Sequence, residues 1–237
     1  MLISLGVCDM VPLEDHLYMA IIGDIKDSRL IKDRNDVQVK LKNILQAVNE
    51  KYETDIASKF IITLGDEFQG LLSAGKNVMP IIFEIERNMY PVKIRFGIGV
   101  GEISTAIDYE QAIGADGPVY YKAREAIERL KQDERKKQTA DADIRVESVN
   151  ANQSTIMLIN AILLLMTAIK DSWSERQRQT IWVMMEYQGG QVDAAQRLGI
   201  KQSSVQKNLM SGKFYSYKEA MKTVKKTFET ITEKKDV

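Results

Sequence analysis

One cysteine and one histidine in 237 residues remove whole classes of chemistry. Cys8 has no partner for an internal disulfide, which suits a reducing cytoplasm. Even with His16 it cannot supply the sulfur- and imidazole-rich ligand set of zinc or a softer metal. Any bound metal is therefore a hard cation held by oxygen, Mg²⁺ or Mn²⁺. Net charge is absent, because 33 basic and 33 acidic residues cancel. A membrane-length apolar run is lacking as well: Ile156 to Ile169 is about 14 residues long against the ~20 that span a bilayer, so it is read as a buried helix. At the start, Asp9, Glu14 and Asp15 interrupt what an export signal needs as a continuous apolar region. Residues 1–18 are expected as a poorly ordered extension. What remains is a cytoplasmic globular chain with no membrane partner.

The cancelled charge is unevenly placed. Residues 1–170 hold 21 basic and 25 acidic side chains, and residues 171–237 hold 12 and 8, so the tail carries a surplus of four positive charges. That surplus makes the tail the candidate for nucleic acid, against the alternative of a lysine-rich solvated helix face.

Along the chain, Tyr18 to Ile22 reads as a fully buried strand, followed by a polar turn from Asp24 to Arg34 and a helix carrying Val37, Leu41, Ile44, Leu45 and Val48. Lys59–Leu64 and Phe68–Leu72 flank Gly65-Asp66 as a β-hairpin, which places Asp66 exposed on a rigid tip. A helix over 79–89 leads to a strand in which Ile94, Phe96, Ile98 and Val100 alternate with Gly97, Gly99 and Gly101. Those glycines lie inside a strand rather than at a strand-to-helix turn. They mark close backbone approach, not a dinucleotide loop. Gly117-Pro118 opens a helix to about Lys131, residues 132–143 form a polar loop, and 144–149 is a last strand. The order βαββαβαβ predicts an α+β domain over 19–150 with a mixed sheet, followed by an all-α domain over 151–237.

Gly23-Asp24-Ile25 and Gly65-Asp66-Glu67-Phe68 each follow an apolar strand-like run. Two carboxylates brought to about 4 Å repel by roughly 4 kcal/mol at an effective dielectric near 20, so a shared site needs a cation. Ordinary solvated turn carboxylates are the alternative.

In the tail, Ser174 and Gln177 have capping-box spacing, and Ala195, Gly199 and Val205 have the offsets of a helix-turn-helix over about 191–210. Its second helix would present Gln202, Ser203, Ser204, Gln206 and Lys207 to base edges, with Lys201 and Lys213 on phosphates. A packing hairpin is the alternative. The helix over 156–169 is apolar nearly all round and offers a seam for a homodimer, the usual state of such DNA readers.

Asp24-Ile25 after a strand, Lys59 to Asp66 in a hairpin, and Gly117, Val119 and Arg124 on the later helix resemble class III nucleotide cyclases, whose catalytic domain is a ferredoxin-like palm. The hairpin also resembles the diguanylate cyclase signature, with Leu64 in place of its first glycine. The resemblance implies Mg²⁺ or Mn²⁺ on Asp24, Asp66 and Glu67, and a purine nucleotide at Ile25, Lys59 and Arg124. Tyr120 stands where the cyclase helix carries asparagine, which speaks for nucleotide binding over efficient cyclisation. Leu198-Gly199-Ile200 and Ser203-Ser204-Val205 resemble the helix-turn-helix of sigma-factor region four and LuxR-type regulators. From Ala20 to Arg29 and onward the chain resembles the SatD family of bacterial proteins. Together these imply a DNA-binding regulator with a nucleotide-binding domain. An active nucleotidyl-transfer enzyme and a purely structural interaction protein are the alternatives.

Overall fold

The structure, a computed structural model, describes residues 16–110, 116–136, 141–149, 151–187 and 189–233. Residues 1–15 of the expected extension and 137–140 of the expected polar loop lie outside the described residues.

The first half follows the expected order: β1 (Tyr18–Ile25), α1 (Arg34–Lys51), β2 (Ile56–Leu64), β3 (Glu67–Leu72), α2 (Val78–Met89), β4 (Ile94–Gly101), α3 (Pro118–Arg135) and β5 (Ile144–Ser148). The sheet order is β2-β3-β1-β4-β5. Its first four strands pair antiparallel with one another, which is the ferredoxin-like arrangement of two interleaved βαβ units. α3 then carries the chain across to β5, which lies parallel to β4.

β1 is buried along its whole length because both faces of the sheet are covered. Met19, Ile21 and Ile25 join the main core with Leu41, Leu45, Ile82 and Ile85. Ala20 and Ile22 join a second cluster with Val119, Tyr120, Ala123 and Ile127 of α3. The glycines of β4 explain how close α3 comes. A Cβ at Gly99 would lie 1.9 Å from the Val119 carbonyl oxygen, and one at Gly97 2.3 Å from that of Ala123.

The remaining helices are α4 (Gln153–Asp171), α5 (Glu175–Glu186), α6 (Gln191–Leu198), α7 (Gln202–Ser211) and α8 (Phe214–Thr232). Asn152 caps α4 by accepting from the Ser154 and Thr155 amides, and Ser174 with Gln177 forms the expected capping box on α5. At 19 residues α4 is longer than the apolar run foretold, and by length and composition it could cross a membrane. It buries only one face, through Ile156, Ile159, Leu163 and Met166. Met157, Leu158 and Leu165 remain exposed, so among the described residues the helix is not covered all round.

No gap in the core accompanies the change from mixed to helical structure at residue 150. Trp173, Ile181, Val205, Phe214 and Phe228 belong to the same apolar cluster as the sheet. Arg178 of α5 stacks 4.9 Å from the Tyr90 ring and 5.7 Å from Trp173 and Trp182, tying the helices to the end of α2.

Candidate functional site

β1 ends in its one buried carboxylate. Asp24 lies opposite Glu67 on β3 and opposite Arg95 on β4, and cross-strand partners share a face of the sheet. That face is the one covered by α3, since Asp24 is in phase with Ala20 and Ile22. The C-terminal turns of α3 bring Lys131 and Glu134 over it.

Asp24 is 4% exposed, and both of its oxygens are taken. Arg95 Nη1 lies 2.6 Å from Oδ2, and Lys131 Nζ lies 2.9 Å from Oδ1 and 3.5 Å from Glu67 Oε1. Behind Arg95, Glu134 accepts from its guanidinium and also pairs with Lys26 at 2.7 Å. Lys26 meets Asp143 at 2.8 Å, Asp143 meets Lys170 of α4 at 2.7 Å, and Lys170 pairs with Glu86 of α2. Charges alternate along the whole path from β1 to α4. Burial opposes ionisation of Lys26, Arg95, Lys131, Glu134, Asp143 and Lys170, but their neighbours outweigh it. Lys26, Arg95, Lys131 and Lys170 are held above their ordinary values, Glu134 is held below its own, and the Asp143 carboxyl is pulled down to about 2.

This arrangement corrects the reading of Asp24 as the first residue of a polar turn: β1 continues through it, because Arg95 and Lys131 compensate the charge that burial strips of water. Asp66 is also not fully exposed on its hairpin tip. Gly65 takes a positive φ of 39°, but Asp66 is half-buried and accepts a 2.5 Å hydrogen bond from the Ser28 hydroxyl. Its segment does adjoin β1, since the Ile25 amide donates to the Asp66 carbonyl at 3.0 Å. The Ile25 side chain is buried in the core.

The carboxylates as arranged do not fit a divalent cation. Among the described residues, no group of three or more His, Cys, Asp or Glu side chains is placed to hold one. An ion ligated by Asp24 would stand about 4 Å from the Lys131 ammonium, where repulsion amounts to roughly 8 kcal/mol at an effective dielectric near 20.

Lys59 and Arg124 do not join this cluster. The Lys59 ammonium is tied to Glu110 at 2.6 and 2.8 Å and lies 5.0 Å from the Tyr109 ring. Arg124 faces solvent on α3, whose neighbouring Ala123 and Ala126 are buried against the sheet.

Among the tail residues, Lys201, Gln202, Ser203, Ser204, Gln206, Lys207 and Lys213 are all exposed. Gln206 accepts a hydrogen bond from Gln191. Ala195 and Val205 are buried, and Gly199 adopts φ 63° between α6 and α7, as the spacing requires.

Sequence reasoning missed Lys26, Arg95, Lys131 and Glu134. One signal was available. Arg95 is in phase with Gly97, Gly99 and Gly101, so a helix lying on those glycines must also pass over Arg95.

Fold and site together define an α+β protein with a ferredoxin-like sheet, an added parallel edge strand, and a helical second half sharing its core. The chain belongs to the SatD family, whose model matches residues 18–228. No curated protein matches the chain. Among solved structures, it is similar to the catalytic core of a rhodopsin-guanylyl cyclase with converted specificity, in complex with ATPalphaS. The identity is 14% and the TM-score 0.36, with 47% of this chain and 71% of that chain covered.

Proposed function

We propose that this protein is a DNA-binding regulator that reads the major groove with α7. The observation that carries the reading is the outward face of that helix. Gln202, Ser203, Ser204, Gln206 and Lys207 lie exposed on a helix whose other side is anchored by buried Val205 and Leu209. Gly199 turns the chain between α6 and α7 at φ 63°, which supports reading the pair as a helix-turn-helix, the unit in which the first residues of the second helix meet base edges. Lys201 and Lys213 form no ion pair among the described residues, so their charges are free for phosphates. The chain acts as a homodimer through the exposed apolar stripe of α4, where Met157, Leu158 and Leu165 are 72%, 66% and 63% exposed.

Fluorescence anisotropy of the full chain on duplex DNA tests this. Affinity should fall steeply between 50 and 200 mM salt, and the Lys201→Ala, Lys213→Ala double variant should lower the log–log salt slope by roughly 2. Absence of salt-dependent binding, or a double variant indistinguishable from wild type, would remove the proposal.

A nucleotide-handling sheet domain is the competing reading: Asp24 and Glu67 meet at the end of β1, and a metal-bound nucleotide would have to displace the Lys131 ammonium that now lies between them. It predicts that calorimetry detects a purine nucleotide binding only with Mg²⁺ or Mn²⁺, and that Asp24→Asn abolishes the signal.

A further inference from the structure

We infer that Lys131 is a resident counterion: its ammonium occupies the cation position of a two-carboxylate site formed by Asp24 and Glu67. The wild-type protein therefore takes no divalent metal there. This inference is independent of the DNA-binding reading.

Lys131 Nζ is placed as a shared cation would be, 2.9 Å from Asp24 Oδ1 and 3.5 Å from Glu67 Oε1. Carboxylate oxygens from two adjacent strands converge on one positive centre carried by a third element. Asp24 cannot leave this arrangement cheaply, because its chain is locked between β3 and β4 and its second oxygen is held by Arg95 at 2.6 Å. Arg95 is in turn held by Glu134, which accepts from Nε at 2.9 Å on both oxygens. Lys131 is the mobile member of the set. Its side chain is 25% exposed against 11% for Arg95, and it reaches the carboxylates along a flexible stem from the surface of α3. Removing only its ammonium leaves Asp24 and Glu67 facing each other with one charge too few, and oxygen donors in that state favour a hard divalent ion.

Thermal melting with and without Mn²⁺ or EDTA, with direct counting of bound Mn²⁺ by electron paramagnetic resonance, tests the assignment. Wild type and Lys131→Arg should keep their Tm within about a degree under all conditions and bind no stoichiometric Mn²⁺. Lys131→Met should bind one Mn²⁺ per chain and gain roughly 5 °C at saturation. Adding Glu67→Gln to that variant should abolish the gain. Lys131→Gln provides the same vacancy with a polar stem should the methionine variant not fold. Stoichiometric Mn²⁺ on wild type would overturn the inference, and so would folded Lys131→Met and Lys131→Gln proteins that ignore the ion.

Discussion

Asp143 is the residue on which pH should act most clearly. It lies between Lys26 at 2.8 Å and Lys170 at 2.7 Å, is 4% exposed, and has its carboxyl pulled from 3.8 to about 2. Lowering the folded value stabilises the protein while the carboxylate is ionised. The contribution is complete above the unfolded value near 4 and is lost as pH falls toward 2. Asp143→Asn should therefore cost roughly 2 kcal/mol at pH 7, and the two proteins should converge in stability near pH 2. Urea denaturation at stepped pH checks this. A gap of constant size from pH 7 to 2 would rule it out. At this scale Asp24 was legible because it follows an apolar strand. Its partners were not, because Arg95 and Lys131 are separated from it by 71 and 107 positions and meet it only when β4 and α3 are in place.

Between elements, the decisive contact is α3 on β4. The sequence pattern showed that the β4 glycines admit something close, and the structure identifies it as the backbone of α3 at Val119 and Ala123. A methyl group at Gly99 would stand 1.9 Å from a carbonyl oxygen in backbone that cannot rotate away. Gly99→Ala should cost about 3 kcal/mol or more, the penalty of overpacking against backbone. Circular dichroism melts should show a large drop in Tm, and an unchanged melt would mean α3 sits farther from the sheet. Displacing α3 would also move Lys131 and Glu134, so the charge path depends on these glycines. For α6 and α7, the offsets of Ala195, Gly199 and Val205 were legible because a close helix crossing admits few side chains and a positive φ favours glycine.

For the whole molecule, the shift from mixed to helical structure at residue 150 is compositional and does not divide the core. Trp173 Nε1 donates to the Gly212 carbonyl at 2.7 Å, and the Gly75 amide donates to Thr232 Oγ1 at 2.9 Å, so α8 closes back onto the sheet half. A tail cut free at residue 150 would expose the surfaces that Ile156, Leu163 and Phe228 now cover. In the proposed homodimer the seam is the opposite face of α4, where Met157, Leu158 and Leu165 are exposed. Leu158→Glu with Leu165→Glu places two charges on the exposed stripe without touching the buried one, so folding should persist while association is lost. Light scattering after size exclusion should show a dimer for wild type and a monomer for the double variant. A wild-type monomer, or a double variant that stays dimeric, would refute the α4 seam.

Local pattern sufficed for the element order, the hairpin with its glycine at the tip, the capping box on α5 and the turn between α6 and α7. Each of these depends on residues within about ten positions of one another, where backbone preference and hydrophobic period act directly. The fate of the two acidic signatures could not be read that way. Whether Asp24 meets a metal, water or another side chain depends on which groups the sheet and α3 deliver to the end of β1. Assembly of the fold delivers Arg95 and Lys131, and a charge withdrawn from water takes the nearest available counterion.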